Sequence, residues 1–315
     1  MNTLFEHNED VKVKRELINP LNNLNGKEWV FSTNSIECFV STEDEREFNR
    51  FVVELIESRF STNGNNSYAH HIRKVHPSPK PPQLMEKLIK FFSKEDEIVF
   101  DPFCGVGGTL LGASLCKRKA FGIDLNNEYL NIYKEASKYL NLSIQETFNY
   151  NSKNLEEIDN LKNVEFDLIL TDPPYGDMMS RKKTGEAVKK KNDTSPTPFT
   201  NSKEDIGNLD LDEFLIELKD IIQISVNKLK NKRYLLLFIK DLQPKPEYHG
   251  MLHFDIMNKL IEIEGLYYKG MKIWYDKTIN LYPYGYPYAY VGNQLHQYIL
   301  IFRKDENSKK NHKSR

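Results

Sequence analysis

Two stretches of this sequence bring together residue types suited to chemistry. The first is Asp167-Leu-Ile-Leu-Thr-Asp-Pro-Pro-Tyr-Gly176, an apolar run ending in a carboxylate, two prolines and a tyrosine. A strand of this kind delivers Asp172, Pro173, Pro174 and Tyr175 to the carboxyl edge of a sheet, where open α/β folds bind ligands. The residue types suit an exocyclic base amine, whose lone pair is delocalised into the ring. A carboxylate and a backbone carbonyl accept its two N–H bonds and draw the lone pair out of conjugation. Consecutive prolines stiffen the loop, and a tyrosine ring offers a stacking face worth about 1–3 kcal/mol per base.

The second stretch is Ile98-Val-Phe-Asp-Pro-Phe-Cys-Gly-Val-Gly-Gly108, which reads as a strand, a glycine turn and a helix start. Glycines permit a tight turn and close approach of a ligand to the backbone. About 20 residues on, a second strand of such a unit ends in an acid that holds ribose hydroxyls. Asp124, closing Phe121-Gly-Ile-Asp124, stands there. An adenosine-containing cofactor is the functional reading. The spacing Gly105-x-Gly107-Gly108 lacks the third spaced glycine that cradles a pyrophosphate, which weakens a nicotinamide dinucleotide and leaves room for a sulfonium cofactor.

These motifs need a scaffold, and the patterning supplies one. Strands are predicted at 97–100, 120–124, 142–147, 166–171, 233–239, 269–275 and 296–303. Helices are predicted at 43–59, 83–92, 107–116, 127–140, 211–229 and 254–264, where apolar residues recur at helical spacing. Prolines 77, 79, 81 and 82 suit a helix start. Strands alternating with helices imply a mainly parallel sheet covered on both faces.

DPFCGVGG and TDPPYG resemble the cofactor and catalytic motifs of the amino-group DNA methyltransferases, which act on N6 of adenine or N4 of cytosine. The resemblance runs from about Tyr68 to Lys304. It implies a Rossmann-like, S-adenosylmethionine-dependent methyltransferase fold: α/β, with a seven-stranded, mostly parallel sheet and helices on both faces. It implies an N-terminal extension (1–67), a catalytic domain (68–304) with a variable, DNA-contacting insertion (177–208), and a basic tail (305–315). S-adenosylmethionine would be lined by Asp101, Phe103, Gly105 and Gly107, with Asp124 on its ribose. His76-Pro-x-Pro-Lys-Pro-Pro-x-Leu84 resembles the family segment beside the methionine end, which assigns Lys80 to the cofactor. Asn151 stands where the family has an acid near the adenine amine, and an asparagine oxygen still accepts a hydrogen bond. Asp172, Pro173, Pro174 and Tyr175 would hold the target base.

DPPY in place of SPPY leans the family reading toward adenine N6 and a sequence-specific modification enzyme acting on flipped bases in double-stranded DNA. Cytosine N4 is the first alternative. RNA guanine N2 is the second, against which the first 67 residues look too short for an added RNA-binding domain. A methyltransferase-like DNA-binding protein without activity is the third. A cognate restriction endonuclease is a partner this family allows, while oligomeric state and recognition sequence stay open.

Other signals carry less. Arg181, Lys182, Lys183, Lys189, Lys190 and Lys191 follow DPPYG directly and suit phosphate contacts, or a solvated loop. Tyr282 to Tyr290 suit base contacts or a packed aromatic loop. His70, His71 and His76 have no partner at ligand spacing, so no metal site is expected. Composition bounds the rest. Of 315 residues, 39% are hydrophobic and 28% charged, with 18 Phe and 17 Tyr, too apolar for a disordered chain. The net charge of -1, from 44 basic and 45 acidic residues, gives no global positive field. Cys38, Cys104 and Cys116 lack the spacing of a zinc ribbon or disulfide framework. With no signal peptide and no membrane-length apolar run, the expectation is a cytoplasmic protein without a membrane partner.

Overall fold

A computed structural model describes residues 21–22, 36–39, 67–176, 198–244, 246, 248–276 and 294–306. The predicted helix at 43–59, the basic cluster 181–191, the aromatic segment 282–290 and most of the basic tail lie outside the described residues.

The strands are β1 (Ile36–Phe39), β2 (Ile98–Asp101), β3 (Lys119–Asp124), β4 (Glu146–Asn149), β5 (Phe166–Thr171), β6 (Leu229–Ile239), β7 (Leu266–Asp276) and β8 (His296–Lys304). They form one sheet in the order β1-β7-β8-β6-β5-β2-β3-β4. Seven of them, β2 to β8, are the expected methyltransferase sheet. The eighth, β1, comes from the N-terminal extension and pairs in parallel with β7, from Ile36 opposite Ile273 to Phe39 opposite Asp276. The boundary expected at residue 67 therefore does not separate the extension from the sheet. β8 runs antiparallel to both β6 and β7, and the other pairings are parallel.

The third predicted strand, 142–147, shifts to Glu146–Asn149. The amide of Leu142 bonds back to Ser137, and the Gln145 side chain accepts from Ala120 N at 2.8 Å, so 142–145 serves as the turn. Pairing with β3 starts only at Glu146 opposite Phe121.

The helices that matter for the site are α1 (His70–Arg73), α2 (Pro82–Phe92), α3 (Gly108–Leu115), α4 (Asn127–Tyr139), α5 (Leu211–Asn227) and α6 (Leu252–Leu260). Three of these starts have a local cause in the sequence. Pro82 opens α2 at the position where its missing N–H costs nothing. Asn126 and Asp210 cap α4 and α5 by accepting from the amides of Glu128 and Glu213.

Continuous apolar strands divide their side chains between two cores. Leu168, Leu170, Leu236, Phe238 and Ile299 face one cluster, packed on Leu84, Leu88, Leu110, Leu111 and Tyr133 of α2 to α4. Phe100, Ile169, Leu235, Leu237 and Leu300 face the other, packed on Phe214, Leu218, Ile222, Ile256 and Leu260 of α5 and α6. This two-faced burial explains why β5 and β6 read as unbroken apolar runs. It holds the ends of β2, β3, β5 and β6 at one rigid edge.

Candidate active site

Asp101 ends β2, Asp124 ends β3, and Asp172 follows β5, so three acids meet at the carboxyl edge. His296 and Gln297, at the start of antiparallel β8, reach the same edge. A cleft of about 720 Å³ opens there, bordered by Phe103, Gly105, Asp124, Asn151, the segment Asp172–Tyr175 and Gln297. Both motifs thus share one cavity, as their placement after successive strands requires.

On one side lies the glycine turn. Gly105 and Gly107 have φ of +49° and +76°, a region that disfavours side chains. A Cβ on Gly107 would lie 2.1 Å from the ring of Tyr133. A Cβ on Gly105 would come within 3.3 Å of His76 Nε2. The turn is closed by Asp124, whose Oδ2 accepts from Gly105 N and whose Oδ1 accepts from Asn126 N, both at 2.8 Å. Asp101 accepts from Phe103 N at 3.0 Å and from Thr171 Oγ1 at 2.7 Å. Burial pushes both carboxyls up to about 6, although these hydrogen bonds pull the other way. Phe103 lines the cleft, whereas Asp101 is buried beneath the turn. Asn151 also lines the cleft, but its Oδ1 already accepts from Lys153 N at 3.0 Å. One of its lone pairs remains for a ligand.

The other side is the Asp172–Tyr175 segment. Tyr175 is buried, with its hydroxyl donating to Asp172 Oδ1 at 2.8 Å and lying 3.4 Å from Gln297 Oε1. Burial, followed by the Asp172 charge, raises its phenol well above the ordinary range. The ring expected as a stacking platform is therefore set into the wall of the cleft and not free on a loop. Lys80, assigned to the cofactor by resemblance, places its ammonium on Asp172 Oδ2. The ammonium therefore meets the catalytic motif directly.

Several lining residues carried no clear signal in the sequence. His76 stacks on Phe199 (centroids 5.2 Å apart) and meets Tyr129 edge-on. Burial first, then the cations of Lys80 and Arg73, lowers its imidazole to about 3, so this ring is neutral at physiological pH. The loop beside Phe199 is held by Asp205, which accepts from Thr200 N, Thr200 Oγ1 and Gly207 N. That loop abuts Pro174, since a Cβ on Gly207 would lie 3.0 Å from it. Buried Arg73 donates to Val106 O and Lys80 O and so ties the turn to the proline-rich segment. His70 and His71 line the outer cleft. Among the described residues, no three His, Cys, Asp or Glu side chains are grouped as a metal site. Cys104 packs under the turn, with burial raising its thiol well above its ordinary value.

The residues present suit S-adenosylmethionine. Gly105 borders the cleft without a side chain, Gly107 lets the turn pack on Tyr133, and Asp124 borders the cleft where ribose hydroxyls would need an acceptor.

Residues 5–135 match the sequence profile of a DNA methylase family of N6 and N4 amino-methyltransferases, and residues 92–194 match an RMKL-like methyltransferase domain. A tRNA (guanine(10)-N2)-dimethyltransferase of Methanocaldococcus jannaschii is 36% identical over 132 residues, 38% of this chain and 35% of that protein. The Type II methyltransferase M.HpaI of Haemophilus parainfluenzae is 41% identical over 68 residues, 22% of each chain. These matches span about a third or less of either relative. The solved structure of TrmN from Thermus thermophilus aligns with a TM-score of 0.48 at 16% identity, covering 76% of this chain and 53% of that one.

Proposed function

We propose that the chain is a member of the amino-group DNA methyltransferase family and that it methylates an exocyclic amine of a nucleic-acid base, adenine N6 of duplex DNA first. Its cofactor is S-adenosylmethionine, which when bound supplies an electrophilic methyl group on a sulfonium. The observation that carries the reading is the shared cleft, with the Asp124 and glycine-turn side facing the Asp172–Tyr175 side.

The chain's own residues would act by positioning, the main source of rate when two bound groups must meet in line. A base inside a duplex cannot enter this cleft, so it must leave the stack, at a cost of about a few kcal/mol. Asp172 would accept one N–H of the amine through a lone pair that neither Lys80 nor Tyr175 uses, since a carboxylate offers about four acceptor sites. The Pro173 carbonyl would accept the other N–H, which turns the nitrogen lone pair out of the ring plane. Tyr175 would give the base a fixed wall. Asp172, already accepting an N–H of the amine, would pass to solvent the proton that the nitrogen loses on methylation.

A second reading, guanine N2 in RNA, is favoured by the name of the M. jannaschii relative and by the RMKL-like match. Mass spectrometry of nucleosides decides between them. Purified protein and S-adenosylmethionine are incubated with unmethylated DNA and, separately, with tRNA. N6-methylated adenine in the DNA supports the first reading, and N4-methylated cytosine keeps the mechanism but changes the base. N2-methylated guanine in tRNA alone replaces it with the second. Neither, with cofactor bound, overturns both.

A further inference from the structure

We propose that Lys80 is the positioning residue of Asp172, holding the carboxylate ready for the target amine, and is not a ligand of the cofactor. The inference rests on the function proposed above. The Lys80 and Asp172 side chains are 4% and 16% exposed, so the buried ammonium has little water to replace its carboxylate. The ammonium sits on Oδ2 while the Tyr175 hydroxyl donates to Oδ1, so the two oxygens are pinned from opposite motifs. A carboxylate held at both oxygens cannot turn without leaving a buried cation unpaired, which strongly disfavours other rotamers. The ammonium also lies 5.5 Å from the Phe238 ring and 5.9 Å from the Trp274 ring, distances at which aromatic faces attract a cation.

The backbone of Lys80 is fixed as firmly as its side chain. Its carbonyl accepts from Arg73 Nη2 at 2.7 Å, and Arg73 Nε donates to Val106 O inside the glycine turn at 3.0 Å. A Cβ on Gly108 would come within 3.0 Å of that same carbonyl. Pro79, Pro81 and Pro82 flank it and restrict the chain. Lys80 is therefore a rigid link between the cofactor turn and the catalytic carboxylate.

The test compares Lys80→Met, which keeps the apolar stem and removes the charge, with Lys80→Arg, Asp172→Asn and the Lys80→Met/Asp172→Asn double variant. Calorimetry reads the Kd for S-adenosylmethionine, and single-turnover assays read methyl transfer at saturating cofactor to unmethylated DNA and to tRNA. Expected for Lys80→Met is a cofactor Kd within about threefold of wild type and transfer slowed by about 10²-fold, the scale of a misplaced reacting group. Lys80→Arg should recover part of that rate. In the Asp172→Asn background the Lys80→Met change should cost little more, because coupled residues are non-additive.

A Kd weakened tenfold or more, with the rate restored at saturating cofactor, would make Lys80 a cofactor ligand and overturn the proposal. An unchanged rate, or an equal loss in both backgrounds, overturns it too. Should Lys80→Met fail to fold, Asp172→Asn alone decides, because releasing the ammonium from its carboxylate must leave the cofactor Kd unchanged. A wild type that binds cofactor yet methylates neither nucleic acid overturns the parent reading, whereas an active wild type with an indifferent Lys80→Met overturns only the role of Lys80.

Discussion

Both oxygens of Asp172 have partners within the protein, so its value to a substrate lies in placement more than in reactivity. Asp172→Ala is accordingly expected to drop methyl transfer below detection while calorimetric cofactor binding survives; a fully active variant would refute the mechanism. Asp124 carries a different dependence. Its carboxyl is raised to about 6 by burial, with Asn126 N and Gly105 N donating to it and Asp101 and Asp205 repelling it. Ribose hydroxyls donate best to the ionised form, so cofactor affinity should fall as pH drops through about 6, by up to about tenfold per pH unit below it. Asp124→Asn should weaken binding and flatten that slope. If the slope persists in the variant, Asp101, also raised to about 6, is the titrating group. Stability runs the opposite way. A carboxyl raised on folding contributes fully below its unfolded value of about 3.9 and loses that contribution as pH rises through about 6. The ligand-free protein should therefore gain stability from these two groups as pH falls toward 4, where its cofactor affinity is poorest.

At the scale of elements, the glycine turn between β2 and α3 is the tightest constraint on the site. Gly107 combines φ +76° with a Cβ position 2.1 Å from Tyr133. Left-handed backbone and overpacking together predict that Gly107→Ala costs about 2–4 kcal/mol in denaturant unfolding and weakens cofactor binding. A variant as stable as wild type would show that the ring of Tyr133 can retreat. The turn was legible in the sequence because glycine is the residue that such backbone demands, and Asp124 was legible because the second strand of the unit fixes its distance. β5 and β6 were legible as buried strands for their apolar runs. The Lys80–Asp172 pair was not, since it joins positions 92 apart and no periodicity records it. Gln297 was hidden for the same reason, as a polar residue in an otherwise ordinary closing strand. β1 escaped notice because a four-residue run of mixed character carries no distinctive periodicity.

The whole molecule carries a net charge of -1, so any grip on a nucleic acid must come from a local patch and not from a general field. The cluster Arg181 to Lys191 is the densest run of cations and follows the catalytic segment in sequence, where phosphates flanking a flipped base would pass. Each phosphate neutralised should add about 0.9 to the steepness of log affinity against log salt for duplex DNA, and about 0.7 for a single strand. Replacing Lys189, Lys190 and Lys191 with glutamine should therefore weaken DNA binding and reduce that slope by about two to three if all three contact duplex phosphates. Cofactor Kd, which we assign to the glycine turn and Asp124, should not move. Weaker binding with an unchanged slope would mean that these lysines act through loop structure. No change in either quantity would place the phosphate contacts elsewhere on the molecule.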